Sequence, residues 1–166
     1  MADAVYTSVF PSFLSVAAQH LASIPPSRWR PWDVKLSEYL RASALERAFS
    51  KLGEFAAAEE DYNHADSRLR AKYGPNYLRN PTAITEIEPY AKRLDAATDV
   101  WAERYADRLV GIAKELLEVP APDEAALLAK IDIFNREELH LYNDVNSSAW
   151  ESVAVDAERL SQGDLV

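Results

Sequence analysis

The sequence contains no cysteine and only four glycines in 166 residues. The lack of cysteine excludes disulfides, thiolate metal sites and a cysteine nucleophile. Four glycines are too few to build several phosphate-binding loops, and neither such a loop nor a G-x-S-x-G motif occurs. We therefore expect a protein that is not an enzyme and that carries no cofactor.

Long apolar runs are also missing, since no stretch reaches the roughly 20 residues of a membrane-spanning helix. The first 26 residues are moderately apolar, but they lack a positively charged start, carry Asp3 and are interrupted by Pro11. These features are atypical of a signal peptide. We expect a cytoplasmic protein with no membrane partner, and the lack of cysteine is compatible with a reducing compartment.

Positive charge is scarce toward the C-terminus. Residues 110–166 contain four Lys/Arg and twelve Asp/Glu, a net charge of -8 out of -9 for the whole chain. An acidic surface repels phosphate backbones, so we expect no nucleic-acid partner. The simplest interpretation is a solvated acidic surface that keeps the protein soluble. The alternative is an inhibitor whose acidic segment mimics nucleic acid and occupies a basic site on another protein.

Hydrophobic residues make up 48% of the chain and charged residues 27%, which is typical of one globular domain over residues 1–166. The clearest helical periodicity covers 88–118, where side chains recur in steps of three and four. A helix of this length depends on packing for its stability. Its predicted buried stripe comprises Ile87, Ala91, Leu94, Thr98, Trp101, Tyr105, Arg108, Ile112 and Glu115, widened by Leu109 and Leu116.

These patterns predict an all-α fold, an antiparallel bundle built on a long helical hairpin of residues 33–73 and 84–118. One N-terminal helix at 9–23 and two shorter C-terminal helices, at 124–142 and 147–161, complete the bundle. The predicted buried side chains outside the central stripe are Phe10, Phe13, Leu14, Ala17, Ala18 and Leu21 in the first helix; Leu45, Ala48, Phe49, Leu52, Phe55, Ala56, Tyr62 and Leu69 in the first half of the hairpin; Leu127, Leu128, Ile131, Phe134, Glu138 and Leu141 in the fourth helix; and Trp150, Val153, Ala154, Ala157 and Leu160 in the last helix.

Capping signals set the predicted helix ends. Asp33 is the expected N-cap of the first hairpin helix. Ser43 with Glu46 resembles a capping box that would break this helix near Ala42, so one helix or two nearly collinear helices both fit. Gly74, followed by proline, is a typical helix stop.

The segment Ser27–Asp33 places two tryptophans and two arginines within five positions: Arg28, Trp29, Arg30 and Trp32. One interpretation is a partner-binding patch, because aromatic rings flanked by guanidinium groups can anchor another molecule. The other interpretation is that both tryptophans cover the open end of the bundle, with the arginines lying over the rings.

A metal site is the third functional alternative. Asp61 and His64, and likewise Glu137 and His140, are spaced three residues apart, which places each pair on one helical face. Ferritin-like bundles hold two metal ions with such pairs and additional glutamates. Against this, the predicted N-terminal helix offers no carboxylate, and Asp61 and His64 flank the apolar stripe. Further carboxylates are available from Glu59, Glu60, Glu86, Glu88 and Glu103.

Four short motifs in the C-terminal half are W-A at Trp101-Ala102, P-A at Pro120-Ala121, A-L-L-A-K at Ala126–Lys130 and D-A-E-R-L at Asp156–Leu160. In this order they resemble small all-helical proteins of proteobacteria and their prophages that carry no assigned activity. The resemblance covers residues 50–160. That group usually has T-x-x-G-L-x-A-K at the third motif, where this chain has Asp123 and Ala126 in place of threonine and glycine. The resemblance implies an all-helical fold and no particular chemistry.

The expected function is that of a non-enzymatic helical protein that interacts with, or regulates, a protein partner. The near-heptad stripes are also compatible with a homodimer. Thr98, Arg108 and Glu115 lie at stripe positions where polar residues are unusual. They either set the register of such a dimer or lie at the edge of the buried face.

Overall fold

A computed structural model describes residues 13–139 and 146–163 of the chain. Within these residues the regular elements are all helical, which confirms the predicted all-α fold. The elements in chain order are α1 (Phe13–Ser23), a 3-10 turn (Pro26–Arg28), α2 (Pro31–Leu52), α3 (Glu54–Tyr73), a 3-10 turn (Tyr77–Arg79), α4 (Pro81–Trp101), a π-helical segment (Ala102–Ala106), α5 (Asp107–Glu118), α6 (Glu124–Arg136) and α7 (Asn146–Gly163).

The chain divides into two compact units. One contains the described residues up to Arg41 and from Val110 onward, and the other contains Ala42–Leu109. The single domain expected over residues 1–166 stays a prediction. Its signature is one cooperative unfolding transition that coincides when followed by two independent probes.

In the 42–109 unit, α3 and α4 form an antiparallel hairpin, because a short connection returns the chain along α3. Gly74 ends α3 with a φ of 86°, a left-handed conformation that glycine adopts without strain. The predicted hairpin and its glycine stop are thus confirmed. The apolar core between the two helices contains Ala65, Leu69, Tyr77, Ala83 and Ile87, with Tyr62, Tyr73 and Tyr90 packed against it.

The 33–73 stretch consists of two helices that meet at Gly53. The proposed break near Ala42 is wrong, because α2 continues through this position. Ser43 and Glu46 therefore lie inside α2 and form no capping box. The Glu46 carboxylate instead accepts a hydrogen bond from the indole of a tryptophan on α4.

Gly53 is required where it stands, whereas Gly111 inside α5 is not. A Cβ at position 53 would lie 2.8 Å from the carbonyl oxygen of Phe49, but a Cβ at position 111 would meet nothing within 4 Å. We expect Gly53→Ala to lower the free energy of unfolding by about 1–2 kcal/mol and Gly111→Ala to raise it by about 0.5–1 kcal/mol. Urea denaturation of the two variants measures both signs, and a stabilising Gly53→Ala would contradict the geometry of the break.

A π-helical segment, Ala102–Ala106, explains two of the three polar positions of the predicted central stripe, Arg108 and Glu115. A π-helical turn holds more residues than an α-helical turn, so the following side chains rotate around the helix axis. Arg108 and Glu115 are exposed as a result, and they lie off the buried face instead of within it. Beyond the segment the buried positions are Leu109, Ala113, Leu116 and Leu117.

Four half-buried aromatic side chains pack around the π-helical segment and Gly53. The rings of Phe49 and Tyr105 stack with centroids 4.5 Å apart, and those of Phe55 and Trp101 lie 5.5 Å apart. Trp101 is thus only half-buried at the seam where we expected a core position. Its Nε1 donates to Oε1 of a glutamate on α2 at 2.9 Å, which satisfies the indole at the edge of the core.

In the other unit, α1 and α7 each pack against α6. Leu14, Ala17 and Leu21 of α1 are buried as predicted, but Phe13, which we expected on the same face, is 49% exposed. The backbone N–H of Leu14 donates to Oδ2 of Asp132 at 3.0 Å. The prediction for α7 is partly wrong. Val153 is buried, but Trp150 is 54% exposed.

The orientation of α7 follows from a buried carboxylate. Asp156 is 3% exposed and lies on the same face as Val153. A carboxylate normally marks the solvent side of a helix, so the apolar pattern predicts a buried face that excludes Asp156. That prediction is wrong for α7. Ala154 and Ala157, which we expected to be buried, are exposed.

Candidate functional site

Three residues of the Ser27–Asp33 segment, Arg30, Trp32 and Asp33, line a cleft between α1, the start of α2 and the start of α6. The cleft has a volume of about 220 Å³. Its walls are largely apolar, and polar side chains at its edge come from all three helices. The walls include Val16, Ala17, Trp32 and Leu36, and the polar side chains are His20, Arg30, Asp33 and Asp123.

Arg30 connects the starts of α2 and α6. Its Nε and Nη2 donate to Asp33 at 2.9 and 3.2 Å, and its Nη1 donates to Asp123 at 3.2 Å. Asp123 is the N-cap of α6, as predicted, and accepts from the backbone N–H of Ala126 at 2.9 Å. One guanidinium group therefore bridges two carboxylates that lie at helix N-termini, where negative charge is favoured.

Asp33 lies in the first turn of α2, not at the N-cap where we predicted it. The helix begins at Pro31, and Asp33 reaches back to accept the backbone N–H of Arg30 at 2.8 Å. Burial alone would raise the pKa of Asp33, but the hydrogen bonds from Arg30 outweigh it and lower the pKa below the usual value. Asp33 thus combines the roles of helix cap and ion-pair partner.

The two tryptophans of this segment differ in exposure. Trp32 is buried at 3% exposure, which favours the core interpretation for this ring. Trp29 is half-buried, and its Nε1 donates to the carbonyl oxygen of Ile24 at 3.3 Å. Arg28 is exposed. A partner-binding role for Arg28 and Trp29 stays a prediction.

A fully buried lysine forms the second polar centre of this unit. Lys130 on α6 is 0% exposed. Its Nζ donates to the carbonyl oxygen of Leu117 at 2.7 Å, to Oγ of Ser152 at 3.2 Å and to Oδ2 of Asp156 at 2.6 Å. Three acceptors match the three N–H groups of an ammonium ion. Leu117 lies in the last turn of α5, so a cation also satisfies a carbonyl at a helix C-terminus.

Asp156 joins the α5–α6 connection to α7. It accepts from the backbone N–H of Ala121 at 2.9 Å and from Nη2 of Arg159 at 3.0 Å, and Arg159 also donates to the carbonyl oxygen of Ala121. Burial would raise the pKa of Asp156, but hydrogen bonds from Lys130, Ala121 and Arg159 lower it overall. Burial lowers the pKa of Lys130, and its bond to Asp156 opposes that effect.

Three of the four sequence motifs meet at this pair. Pro120-Ala121 supplies the bonded backbone, Ala126–Lys130 supplies the lysine, and Asp156–Leu160 supplies the carboxylate and the guanidinium. The network joins α5, α6 and α7, and Lys130 Nζ lies 5.9 Å from the centroid of the Trp32 ring in the cleft wall. Lys130 and Asp156 are both buried, so the pair holds helices together and presents no reactive group to solvent. Sequence reasoning missed the pair, although a lysine among the apolar residues of α6 was a usable signal.

Acid should weaken this unit. The folded-state pKa values of Asp33 and Asp156 are both lowered. A lowered carboxyl pKa contributes stability above the unfolded value of about 3.9, and this contribution is lost as pH falls through the folded value. We expect the urea midpoint to fall below about pH 4, and to fall less in Asp156→Asn. An acid dependence that is unchanged in Asp156→Asn would contradict the assignment.

Two of the four predicted metal ligands, Asp61 and Glu137, form polar side-chain contacts with other residues. His64 is exposed, and Asp61 forms an ion pair with Arg93. Glu137 accepts from the hydroxyl of Tyr39 at 2.6 Å, and His140 lies outside the described residues. Within residues 13–139 and 146–163, no group of three or more histidine or carboxylate side chains is placed to hold a metal ion.

Large apolar side chains are exposed on several of the described helices, and the most exposed ones within α-helices lie on α2 and α7. On α2, Leu45 and Leu52 are 51% and 86% exposed, although their spacing led us to expect burial. On α7, Trp150 and Val155 are 54% and 63% exposed. We define the α2 face as Leu45, Arg47, Ala48, Lys51 and Leu52, and the α7 face as Trp150, Glu151, Ala154, Val155 and Glu158, all of them exposed.

Comparison with known proteins finds no matching family model and no significant match among curated proteins or solved structures. In the part of the chain that the structure describes, the helices are all too short or too polar to cross a membrane.

Proposed function

We propose that the chain is a non-enzymatic interaction protein that binds a protein partner through an exposed amphipathic helix face. The observation that carries the proposal is the α2 face. Leu45, Ala48 and Leu52 follow one another by three and four residues, so they form one apolar stripe on the solvent side of α2. Apolar stripes that remain exposed in a folded chain are typical of protein contact sites.

The polar centres support a structural role for the rest of the described chain. Arg30 and Lys130 are both engaged in ion pairs that join helices. Such pairs fix the arrangement of the helices that carry the exposed faces. We also propose that the protein has a regulatory role and a cytoplasmic location. The prophage association is proposed from the four short motifs alone.

The acidic-mimic function is a second candidate because the exposed carboxylates of α7 lie on one face. Glu151 and Glu158 are spaced by seven residues and are both exposed. In this chain they alternate with Trp150 and Val155, and large apolar side chains are not features of a nucleic-acid backbone. The mixed face therefore fits an amphipathic protein surface better than a basic nucleic-acid site.

A photocrosslinking amino acid placed at position 52 in living host cells tests the proposal. We expect one discrete crosslinked product from position 52 and no such product from position 60, an exposed residue on α3 in the same unit. The product should disappear when Leu45→Glu is added, while the circular dichroism and the thermal midpoint stay unchanged. Identical crosslinking patterns from positions 52 and 60 would contradict a specific contact at the α2 face.

A further inference from the structure

The α2 face and the α7 face carry charges of opposite sign. Arg47 and Lys51 border the apolar stripe of α2, one turn apart. Glu151 and Glu158 lie two turns apart among the exposed apolar residues of α7. Each face thus combines exposed apolar side chains with two charges of a single sign.

Two further charged residues on these helices, Glu46 and Arg159, form polar contacts within their own units. Glu46 is directed at the indole of Trp101, to which its Oε1 is hydrogen-bonded. On α7, Arg159 is directed at Asp156 and the carbonyl oxygen of Ala121. Arg159 is still 46% exposed, so Glu151 and Glu158 together leave the α7 face with a net negative charge. Arg47 and Lys51 leave the α2 face positive.

We propose that the partner of the α2 face is the α7 face of a second copy of this chain. The inference rests on the proposed function and identifies the partner that binds the α2 face. Pairing the two faces covers Leu45 and Leu52 with Trp150 and Val155, and it brings each basic residue toward a glutamate. Pairing like faces would instead oppose like charges, which disfavours α2–α2 and α7–α7 contacts.

The two faces differ, so the contact is heterologous. Two copies can exchange both contacts and close as a pair, or the contact can repeat from copy to copy and form longer chains. One contact between short helix faces is smaller than the roughly 1,200 Å² of a stable interface, which places the association in the weak, reversible class. Because opposite charges flank the contact, the association weakens as salt rises.

Two complementary charge reversals test this inference. One variant carries Arg47→Glu and Lys51→Glu, and the other carries Glu151→Lys and Glu158→Lys. In each variant alone the two faces have the same sign, so each should sediment as a single chain. In an equimolar mixture the acidic α2 face of the first meets the basic α7 face of the second, and the remaining pair of faces keeps its natural signs. We expect the mixture to regain the wild-type complex.

Sedimentation velocity over about 10–300 µM covers the range expected for a weak interface. Glu59→Lys with Glu60→Lys, on an exposed part of α3, is the matched control and should associate like the wild type. Wild-type protein that stays a single chain throughout would overturn the inference. So would a mixture that stays dissociated although both variants keep the wild-type circular dichroism.

The two proposals fail separately. If position 52 crosslinks to a different protein and the wild type sediments as a single chain, the second-copy inference is wrong and the proposed function stands. If position 52 gives no specific product and the wild type is a single chain, both are wrong. If the crosslinked product has the mass of two chains and the mixture reassociates, both are supported.

Discussion

Lys130→Met lowers the free energy of unfolding by about 3–5 kcal/mol, because it leaves the Asp156 carboxylate buried without its closest cation. Methionine fills a similar volume, so the loss reflects charge and hydrogen bonds more than packing. The carbonyl oxygen of Leu117 also loses the hydrogen bond that Nζ of Lys130 donates to it at 2.7 Å. Arg159 keeps its bond to Asp156, but its side chain is 46% exposed and cannot replace a buried ammonium.

Guanidinium denaturation of Lys130→Met measures this loss. Lys92→Met is the matched control, since the Lys92–Glu88 pair is exposed and should leave the midpoint unchanged. Adding Asp156→Leu to Lys130→Met should restore part of the stability, because no charge then stays buried, although the N–H of Ala121 loses its acceptor. A midpoint of Lys130→Met equal to that of the wild type would mean that the pair is not buried.

Asp33→Ala lowers the free energy of unfolding by about 2–3 kcal/mol, through the loss of a helix cap and of hydrogen bonds to a charged group. The Asp33 carboxylate is buried and accepts three hydrogen bonds from Arg30. Alanine removes all three hydrogen bonds, so Arg30 no longer links the start of α2 to the start of α6. We expect α2 to fray at its N-terminus, which faster amide exchange over residues 31–36 would report.

Asp33→Asn separates the two contributions. The amide oxygen can still accept the backbone N–H of Arg30, so the cap survives while the ion pair is lost. We expect a loss between those of wild type and Asp33→Ala. Asp123→Ala, which removes the α6 cap and the weaker contact with Arg30, should cost about 1 kcal/mol. If Asp33→Ala were as stable as the wild type, the bridging role of Arg30 would be wrong.

Helical periodicity and the residues that cap or end helices predicted much of the fold. Gly74 and Asp123 marked helix ends correctly because they act locally, through a left-handed backbone and a side-chain cap. The stripe over 88–118 is right at Leu109 and Leu116 but wrong at Arg108 and Glu115, because a π-helical segment changes the phase of the helix. Apolar spacing gave no warning of that change, yet the unexplained Arg108 and Glu115 in the stripe were its visible consequence.

The candidate sites were harder to predict because they depend on residues that break the apolar pattern. Lys130 and Asp156 lie on different helices, and each resembles a solvated residue until both are found to be buried together. Leu45 and Leu52 gave the opposite error, since their spacing predicts burial and the structure exposes them. Helical spacing shows that a face is apolar, but it does not show whether the partner is in the same chain.

Native mass spectrometry of the full chain, purified from its own host and kept at about 100–300 µM so that a weak complex stays populated, shows whether the α2 face makes a contact. We compare the wild type with Leu52→Glu, a substitution at an 86% exposed position that should leave the fold intact. We predict that the wild type appears in a complex heavier than one chain and that Leu52→Glu appears as a single chain. A single bare chain in both samples, or the same complex in both, would contradict a contact through the α2 face. A mass increment of one or two metal ions, lost in His64→Ala, would favour the metal-binding alternative.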